Sequence, residues 1–129
     1  MRLYEILDKI IKRLGIDWVI EISKIDGWTV TKRHSGEMVQ TLYREADNTG
    51  WNDIPYIAGL VVSHKTYTFP QSFIGNPAVL ASATGGSGIG IGVTTHPTST
   101  NVRLHVTGSQ SCTEAGANDV AIMAFGKWK

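Results

Sequence analysis

Hydrophobic residues in the first part of the chain recur with helical spacing. In MRLYEILDKIIKRLG, the apolar residues Leu3, Leu7, Ile10 and Leu14 follow one another at intervals of four, three and four positions, as the a and d positions of two heptads do. Gly15 is a typical residue at the end of a helix. The pattern predicts an amphipathic helix over residues 1–15, followed by a separate domain over residues 16–129.

The apolar side of this helix needs a partner, because a helix of this length is marginal alone in water. It can pack on the rest of its own domain or on the helices of other copies. The isoleucine-rich stripe favours a parallel coiled coil of three strands over one of two. Periodicity alone does not choose between the two; in a trimeric coiled coil the interface would include Leu3, Leu7, Ile10 and Leu14.

After Gly15 the hydrophobic period becomes that of strands. Runs of β-branched and aromatic residues, bounded by turn residues, predict strands over residues 17–22, 28–33, 37–44, 60–69, 77–84, 89–95, 101–107 and 119–125. Asp26-Gly27 and Ser35-Gly36 are hairpin turn signals between the first three strands, although the second turn could equally take in His34 and Glu37. Residues 45–57 form the first long connection. The predicted fold class is mainly β: an antiparallel β-sandwich preceded by a short coiled-coil helix.

Two of the strands predict which side chains face the core. Val102, Leu104 and Val106 alternate with Arg103 and His105, so this strand has one apolar and one wet face. In the last strand, Val120, Ile122 and Phe125 are expected to be buried, either at the centre of the sandwich or at a seam between subunits. Trp128, between two lysines, is expected to clamp against a neighbouring subunit or the helix.

Composition narrows the classes of protein. The chain has 129 residues, of which 18% are charged and 42% hydrophobic, with a formal net charge of +1. Such a chain can build a core and has no strong field for nucleic acid, so we expect no nucleic-acid partner. A single cysteine, Cys112, excludes an intramolecular disulfide. With no signal-peptide pattern and no apolar run near the ~20 residues that span a bilayer, we expect synthesis in the cytoplasm and no membrane insertion.

Motifs for catalysis or metal binding are not evident. The stretch GGSGIGIG at Gly85 to Gly92 lacks the Gly-Lys-Ser/Thr of a phosphate loop and precedes a strand, so a glycine-bearing hairpin is expected. The acidic residues in loops form no recognisable acid/base pair; they are Asp47, Asp53, Glu114 and Asp119. The histidines show no metal-ligand spacing; they are His34, His64, His96 and His105. His64 and His105 could meet across a subunit interface. We expect no catalytic residue, no metal, no cofactor and no enzyme activity.

Aromatic and amide residues in the first long connection suggest carbohydrate binding. A sugar ring offers an apolar face that stacks on Trp or Tyr, while Asn and Asp bind its hydroxyl groups. The candidate residues there are Trp51, Asn52, Asp53 and Tyr56, with Gln110 and Asn118 of the polar loop 107–119 as a second set. Alternatively, Trp51 closes the end of the sandwich core.

Three segments resemble the C-terminal domains of tail-fibre or baseplate proteins from phages and prophages of Gram-positive bacteria. Residues 27–37 (GWTVTKRHSGE) are similar to a recurrent hairpin of that group, residues 67–79 (YTFPQSFIGNPAV) to its FP..F...P.V motif, and residues 120–129 (VAIMAFGKWK) to its terminal AIGRWK. His34 stands where that hairpin usually has tryptophan. The second and third segments also resemble H-type lectins, which are trimeric antiparallel sandwiches that bind sugars near subunit boundaries.

The resemblance implies a function and a location. It implies a homotrimeric receptor-binding component of a virion tail, made in the bacterial cytoplasm, that recognises a cell-surface carbohydrate and attaches to other tail or baseplate proteins. The ligand-holding arginine of H-type lectins does not carry over, because the corresponding strand has Gly90-Ile91-Gly92 here. The alternatives are a purely structural trimerisation module at a fibre tip and a surface-cleaving enzyme.

Overall fold

The computed structural model describes residues 2–15, 17–55, 57–84, 88–93, 96–113 and 119–129, with the backbone alone at residues 11, 84 and 88–93. The described chain is mainly β with one N-terminal helix. The helix is α1 (Leu3–Leu14), and the strands are β1 (Val19–Ile25), β2 (Trp28–Arg33), β3 (Glu37–Arg44), β4 (Asn52–Pro55), β5 (Val61–Thr68), β6 (Ile74–Thr84), β7 (Gly88–Val93), β8 (Asn101–Gly108) and β9 (Asp119–Lys127).

The strands form two antiparallel sheets, as the sequence predicted. The first sheet has five strands in the order β1-β2-β3-β9-β6, and the second has four in the order β4-β5-β8-β7. The last strand, β9, pairs with both β3 and β6, so the C-terminal segment is an interior strand. This position explains why an apolar run can stand so close to the end of the chain.

Local turn chemistry sets the first hairpin. Ile25 pairs directly with Trp28, which leaves a two-residue turn at Asp26 and Gly27. Both turn residues have positive φ, at 50° and 83°, which is the requirement of a type I′ turn and matches the Asp-Gly signal. The prediction of this turn is confirmed.

A single core lies between the sheets, filled by alternate residues of strands from both. Val102, Leu104 and Val106 of β8 are buried while Arg103 is exposed, which confirms the predicted faces of that strand. Trp28 meets Phe69 edge to face at 5.6 Å between ring centroids, and Phe69 meets Phe73 in the same way at 5.2 Å. These aromatic contacts tie the first two sequence motifs together inside the core.

The third motif packs onto the first. The backbone N–H of Trp128 donates to the carbonyl of Gly36 at 2.9 Å, and its indole Nε1 donates to the carbonyl of Arg33 at 3.1 Å. Trp128 is therefore half-buried against its own β2–β3 hairpin, while the ammonium groups of Lys32 and Lys129 lie 5.3 and 5.1 Å from its ring. Its place in a subunit interface stays a prediction.

Several predicted boundaries differ from the structure; β1, for example, spans Val19–Ile25 and not 17–22. Phe125 is not at the centre of the sandwich but on the outer face, because strict alternation places Val120, Ile122 and Ala124 inside; its burial at a seam between subunits stays a prediction. The connection 45–57 contains the edge strand β4, whose pairing with β5 compensates for a composition that does not suit strands. Strand β6 begins at Ile74, before the predicted Pro77, because Ile74 already pairs with Lys127.

The helix leaves its apolar stripe uncovered. Leu3, Leu7, Ile10 and Leu14 are 43–72% exposed. The helix instead meets the β2–β3 turn through its polar side, where Asp8 Oδ1 lies 2.6 Å from His34 Nε2. Within the helix, Asp8 Oδ2 lies 3.0 Å from Lys12 Nζ. The rest of the described chain therefore does not supply the partner that the stripe requires.

No helix among the described residues is long and apolar enough to cross a lipid bilayer.

Asp17 fastens the β2–β3 turn to the segment that precedes β1. Its Oδ2 accepts the Ser35 hydroxyl at 2.6 Å, and its Oδ1 accepts the Ser35 backbone N–H at 3.0 Å. These hydrogen bonds, above all the one from the hydroxyl, hold the pKa of Asp17 below its ordinary value because they favour the charged carboxylate.

Replacing Ser35 with Ala should raise the pKa of Asp17 toward its ordinary value, as an NMR titration of the carboxyl carbon would measure. Because the folded pKa is depressed, the contribution of Asp17 to stability is present above the unfolded pKa and is lost as the pH falls through the folded pKa. Ser23→Ala is the control, since that hydroxyl donates to Glu21 at 2.9 Å. An unchanged Asp17 titration in the Ser35→Ala variant would contradict this assignment.

Candidate functional site

A cleft of about 370 Å³ lies at the end of the second sheet where β4 ends, β5 begins and β8 ends. One wall is Asp53 of β4, and the other is the polar segment that follows β8, with Ser109 and Gln110 exposed. Its apolar lining is Pro55, Leu60 and Val61. The cleft thus joins polar groups from two segments that are distant in sequence.

The Asp53 carboxylate is held in position by a buried serine of the neighbouring strand β5. Its Oδ1 accepts the hydroxyl of Ser63, which is fully buried in β5, at 2.7 Å. The same hydroxyl oxygen accepts the backbone N–H of Cys112 at 3.1 Å. Because Ser63 bonds to both walls, it fixes the position of Asp53 relative to the segment that carries Gln110.

The segment after β8 is ordered by its own hydrogen bonds. Ser111 is buried, and its hydroxyl lies 2.6 Å from the Thr113 hydroxyl and accepts the Thr113 N–H at 3.1 Å. Cys112 beside it is buried, and this burial raises the pKa of its thiol. A thiol of raised pKa is a poor nucleophile at neutral pH, so Cys112 is a packing residue of this wall.

The structure brings together two of the six predicted ligand-binding residues. Asp53 and Gln110 line the same cleft, although they come from the two separate candidate sets. Tyr56 and Asn118 lie outside the described residues. Asn52 belongs to the outer face of the sheet, where it pairs across with His64.

Trp51 is buried, so it is not the exposed stacking surface that the sugar-binding hypothesis required. Its indole Nε1 donates to the Asp47 carbonyl at 2.7 Å, and the Lys65 ammonium lies 6.0 Å from its ring centroid. The alternative interpretation, a tryptophan that closes the end of the core, describes this environment. The sequence could not separate the two because both place an aromatic residue next to polar loop residues.

His64 and His105 are directly opposite each other on β5 and β8 of one chain. The two histidines therefore meet within one chain, without a subunit interface. Asn52, His64 and His105 form one row across the outer face of the second sheet, and the glycine at position 92 continues it on β7. Among the described residues, no group of three His, Cys, Asp or Glu side chains could hold a metal ion.

Sequence reasoning missed Ser109, Ser111 and the apolar part of the cleft. The only signal was that Ser109-Gln110-Ser111 is uniformly polar directly after a strand. Leu60 and Val61 could not be placed in a site because they look like the start of a strand, which Val61 is. In comparisons with known proteins, no family model matches the chain, and no curated protein matches it.

Proposed function

We propose that this protein is a homotrimeric receptor-binding component of a phage or prophage tail, and that it binds a bacterial surface carbohydrate in the cleft between Asp53 and Gln110. One observation carries the carbohydrate part: polar side chains from two candidate segments line one cleft with an apolar wall. Its size is at the lower end of ligand pockets, which suits one or two sugar rings.

The chemistry of the cleft suits binding of an uncharged polar ligand. The Asp53 carboxylate and the Gln110 amide can accept and donate hydrogen bonds to hydroxyl groups. Pro55, Leu60 and Val61 offer carbon surface to the C–H face of a sugar ring. Asp53 is the one carboxylate among the described lining residues, whereas most glycoside hydrolases use two, so we propose binding without cleavage.

The proposed trimer rests on the helix. Four large apolar side chains at heptad positions face away from the described domain, and coiled-coil pairing with other copies would bury them. Three weak carbohydrate sites on one assembly would gain avidity when their spacing matches the bacterial surface. Localisation in the virion tail, and attachment to other tail or baseplate proteins, follow from the resemblance of the three sequence motifs.

The test is a glycan array of bacterial surface oligosaccharides, followed by affinity measurement on the glycan that binds. Asp53→Asn should weaken binding about tenfold or more, because a hydrogen bond to a charged group is worth roughly 1.5–3 kcal/mol. Gln110→Ala should weaken it about two- to tenfold, because a hydrogen bond to a neutral group is worth roughly 0.5–1.5 kcal/mol. Asp53→Asn keeps the acceptor for Ser63. Asp17→Asn is the matched control, since Asp17 also accepts a serine hydroxyl but does not line the cleft.

Binding that is equal in both cleft variants and wild type would contradict the proposed site. A second candidate function, a structural fibre-tip module without a ligand, is favoured by the burial of Trp51 and by the structural use of all three motifs. It predicts no array signal for the wild-type protein. Phage adsorption would then be unaffected by both cleft variants.

A further inference from the structure

The outer face of the five-stranded sheet is apolar at its centre. It is formed by the outward-facing residues of β3 between 39 and 43, of β9 between 121 and 125, and of β6 between 78 and 82; we call it the apolar sheet face. Its large side chains are Tyr43, Leu80, Met123 and Phe125, which are 38–64% exposed. No residue in these three described segments is charged.

Cross-strand pairing makes this face continuous. Met123 stands between Thr41 on β3 and Leu80 on β6, and Phe125 stands in the next row between Val39 and Ala78. A shallow groove of about 360 Å³ runs between Leu80 and Met123. Adjacent apolar side chains on neighbouring strands therefore form one surface rather than scattered exposed residues.

Strand β9 is apolar on both faces. Val120, Ile122 and Ala124 are buried in the core, and between 121 and 125 the residues that alternate with them are apolar as well: Met123 and Phe125 are exposed and Ala121 is half-buried. Antiparallel sheets that face water on one side alternate between apolar and polar residues, whereas strands covered on both faces do not. The sequence of β9 is typical of a strand that is covered on both faces.

The second sheet of the same protein shows the ordinary pattern. On β8, the residues that face outward include Arg103 and His105, and on β5 they include His64 and Thr66. Both sheets belong to one small domain and one core. The apolar character is therefore specific to the outer face of the first sheet.

We propose that the apolar sheet face is a contact surface between copies of this chain. The inference deepens the proposed trimer and rests on it: the domain, as well as the helix, would hold the assembly together. In a trimer, identical faces meet only around the threefold axis, and because these segments carry no charge, no like charges would oppose one another there. A charged partner protein would find no complementary charge on it.

The size of the face fits a contact that adds to another interface between copies. The face covers about 10 Å across three strands and about 13 Å along them, by the usual strand spacings. That is smaller than the roughly 800 Å² per partner of a standard interface. The exposed helix stripe provides a second apolar surface, and copies joined by their helices would present the sheet face at high effective concentration.

The experiment is sedimentation velocity of the full chain over a dilution series. In the Leu80→Glu variant, the protein concentration at which the assembly dissociates should be about tenfold or more higher than in wild type. The reason is that apolar contact surface is lost and a charge is buried in its place. Ile54→Glu is the matched control, as Ile54 is 51% exposed on the outer face of the other sheet. It should dissociate like wild type.

The outcomes separate the inference from the trimer. If the wild-type protein is a trimer and Leu80→Glu dissociates at the same concentration, the inference is overturned and the trimer stands. A dimer that Leu80→Glu dissociates would support the self-contact and contradict the trimer. A wild-type monomer at every concentration would overturn both.

A conservative variant covers the case in which Leu80→Glu does not fold. Leu80→Cys should react with maleimide about tenfold or more slowly in the concentrated, assembled protein than after dilution, since a covered thiol is inaccessible. Ile54→Cys should react at one rate in both, and the native Cys112 is buried. Equal reactivity of Leu80→Cys at both concentrations would show that another partner, or none, covers the face.

Discussion

Replacing Asp47 with Ala should lower the free energy of unfolding by about 3–5 kcal/mol, because it leaves the charge of Lys65 without its anion. Asp47 is only 7% exposed. Its Oδ1 lies 2.6 Å from Lys65 Nζ, and its Oδ2 accepts the Tyr67 hydroxyl at 2.6 Å.

The surroundings explain the size of the effect. After the replacement, Lys65 keeps only the Thr49 carbonyl at 2.8 Å and the faces of two aromatic rings, of which that of Tyr67 is centred 5.1 Å away. Burial, together with the hydrogen bond to Asp47, raises the pKa of Tyr67 far above its ordinary value. Tyr67 therefore stays a neutral donor and would lose its acceptor when Asp47 is removed.

Urea denaturation at pH 7 and a fixed protein concentration measures the effect. Glu21→Ala is the control: Glu21 pairs with Lys32 at 3.6 Å on the surface, where such a pair contributes about 0–1 kcal/mol. The double variant Asp47→Ala, Lys65→Met should recover part of the loss, because it removes the uncompensated charge as well. A loss for Asp47→Ala no larger than for Glu21→Ala would contradict the assignment.

Replacing Leu104 with Ala should lower the free energy of unfolding by about 2–5 kcal/mol. Leu104 is fully buried in β8, between Lys65 on β5 and Val93 on β7 in the pairing of the second sheet. The replacement removes buried apolar surface and leaves a cavity that the surrounding strands can fill only in part.

Ile54→Ala is the matched control for Leu104→Ala. Ile54 is an aliphatic residue in the same sheet, but it is 51% exposed on the outer face, so its replacement should change stability by about 0.5 kcal/mol or less. Both variants are compared by the same urea titration. Equal effects of the two replacements would mean that Leu104 is not part of the core.

Several elements of the fold could be predicted from the sequence. Strands β2 and β3 have the predicted bounds, and the turn between β1 and β2 is at Asp26-Gly27, as predicted. These features depend on local rules: alternation of side chains along a strand and the positive φ that a two-residue hairpin turn needs. Alternation also puts Ala124 in the core and Phe125 on the outer face, so of the two places predicted for Phe125 only the seam between subunits is left.

Composition predicted two residues of the candidate site, but it did not predict that they lie close together. Asp53 and Gln110 were predicted as ligand-binding residues from their polar loops, and the cleft contains both. Their proximity was not predictable, because it depends on the pairing of β5 with both β4 and β8. For Trp51 the sequence left two interpretations, because an aromatic residue in a polar loop can turn inward as readily as outward, and its burial agrees with the one in which it closes the core.

By itself, the sequence determined the mainly β class, most strands, the first turn and the amphipathic helix, because each of these is written in the spacing of nearby residues. Tertiary structure alone decided that β9 lies between β3 and β6, that Lys65 meets Asp47, and that Leu80 and Met123 share an exposed face. Those outcomes depend on which distant strands pair, and residue periodicity along one strand carries no information about its neighbours.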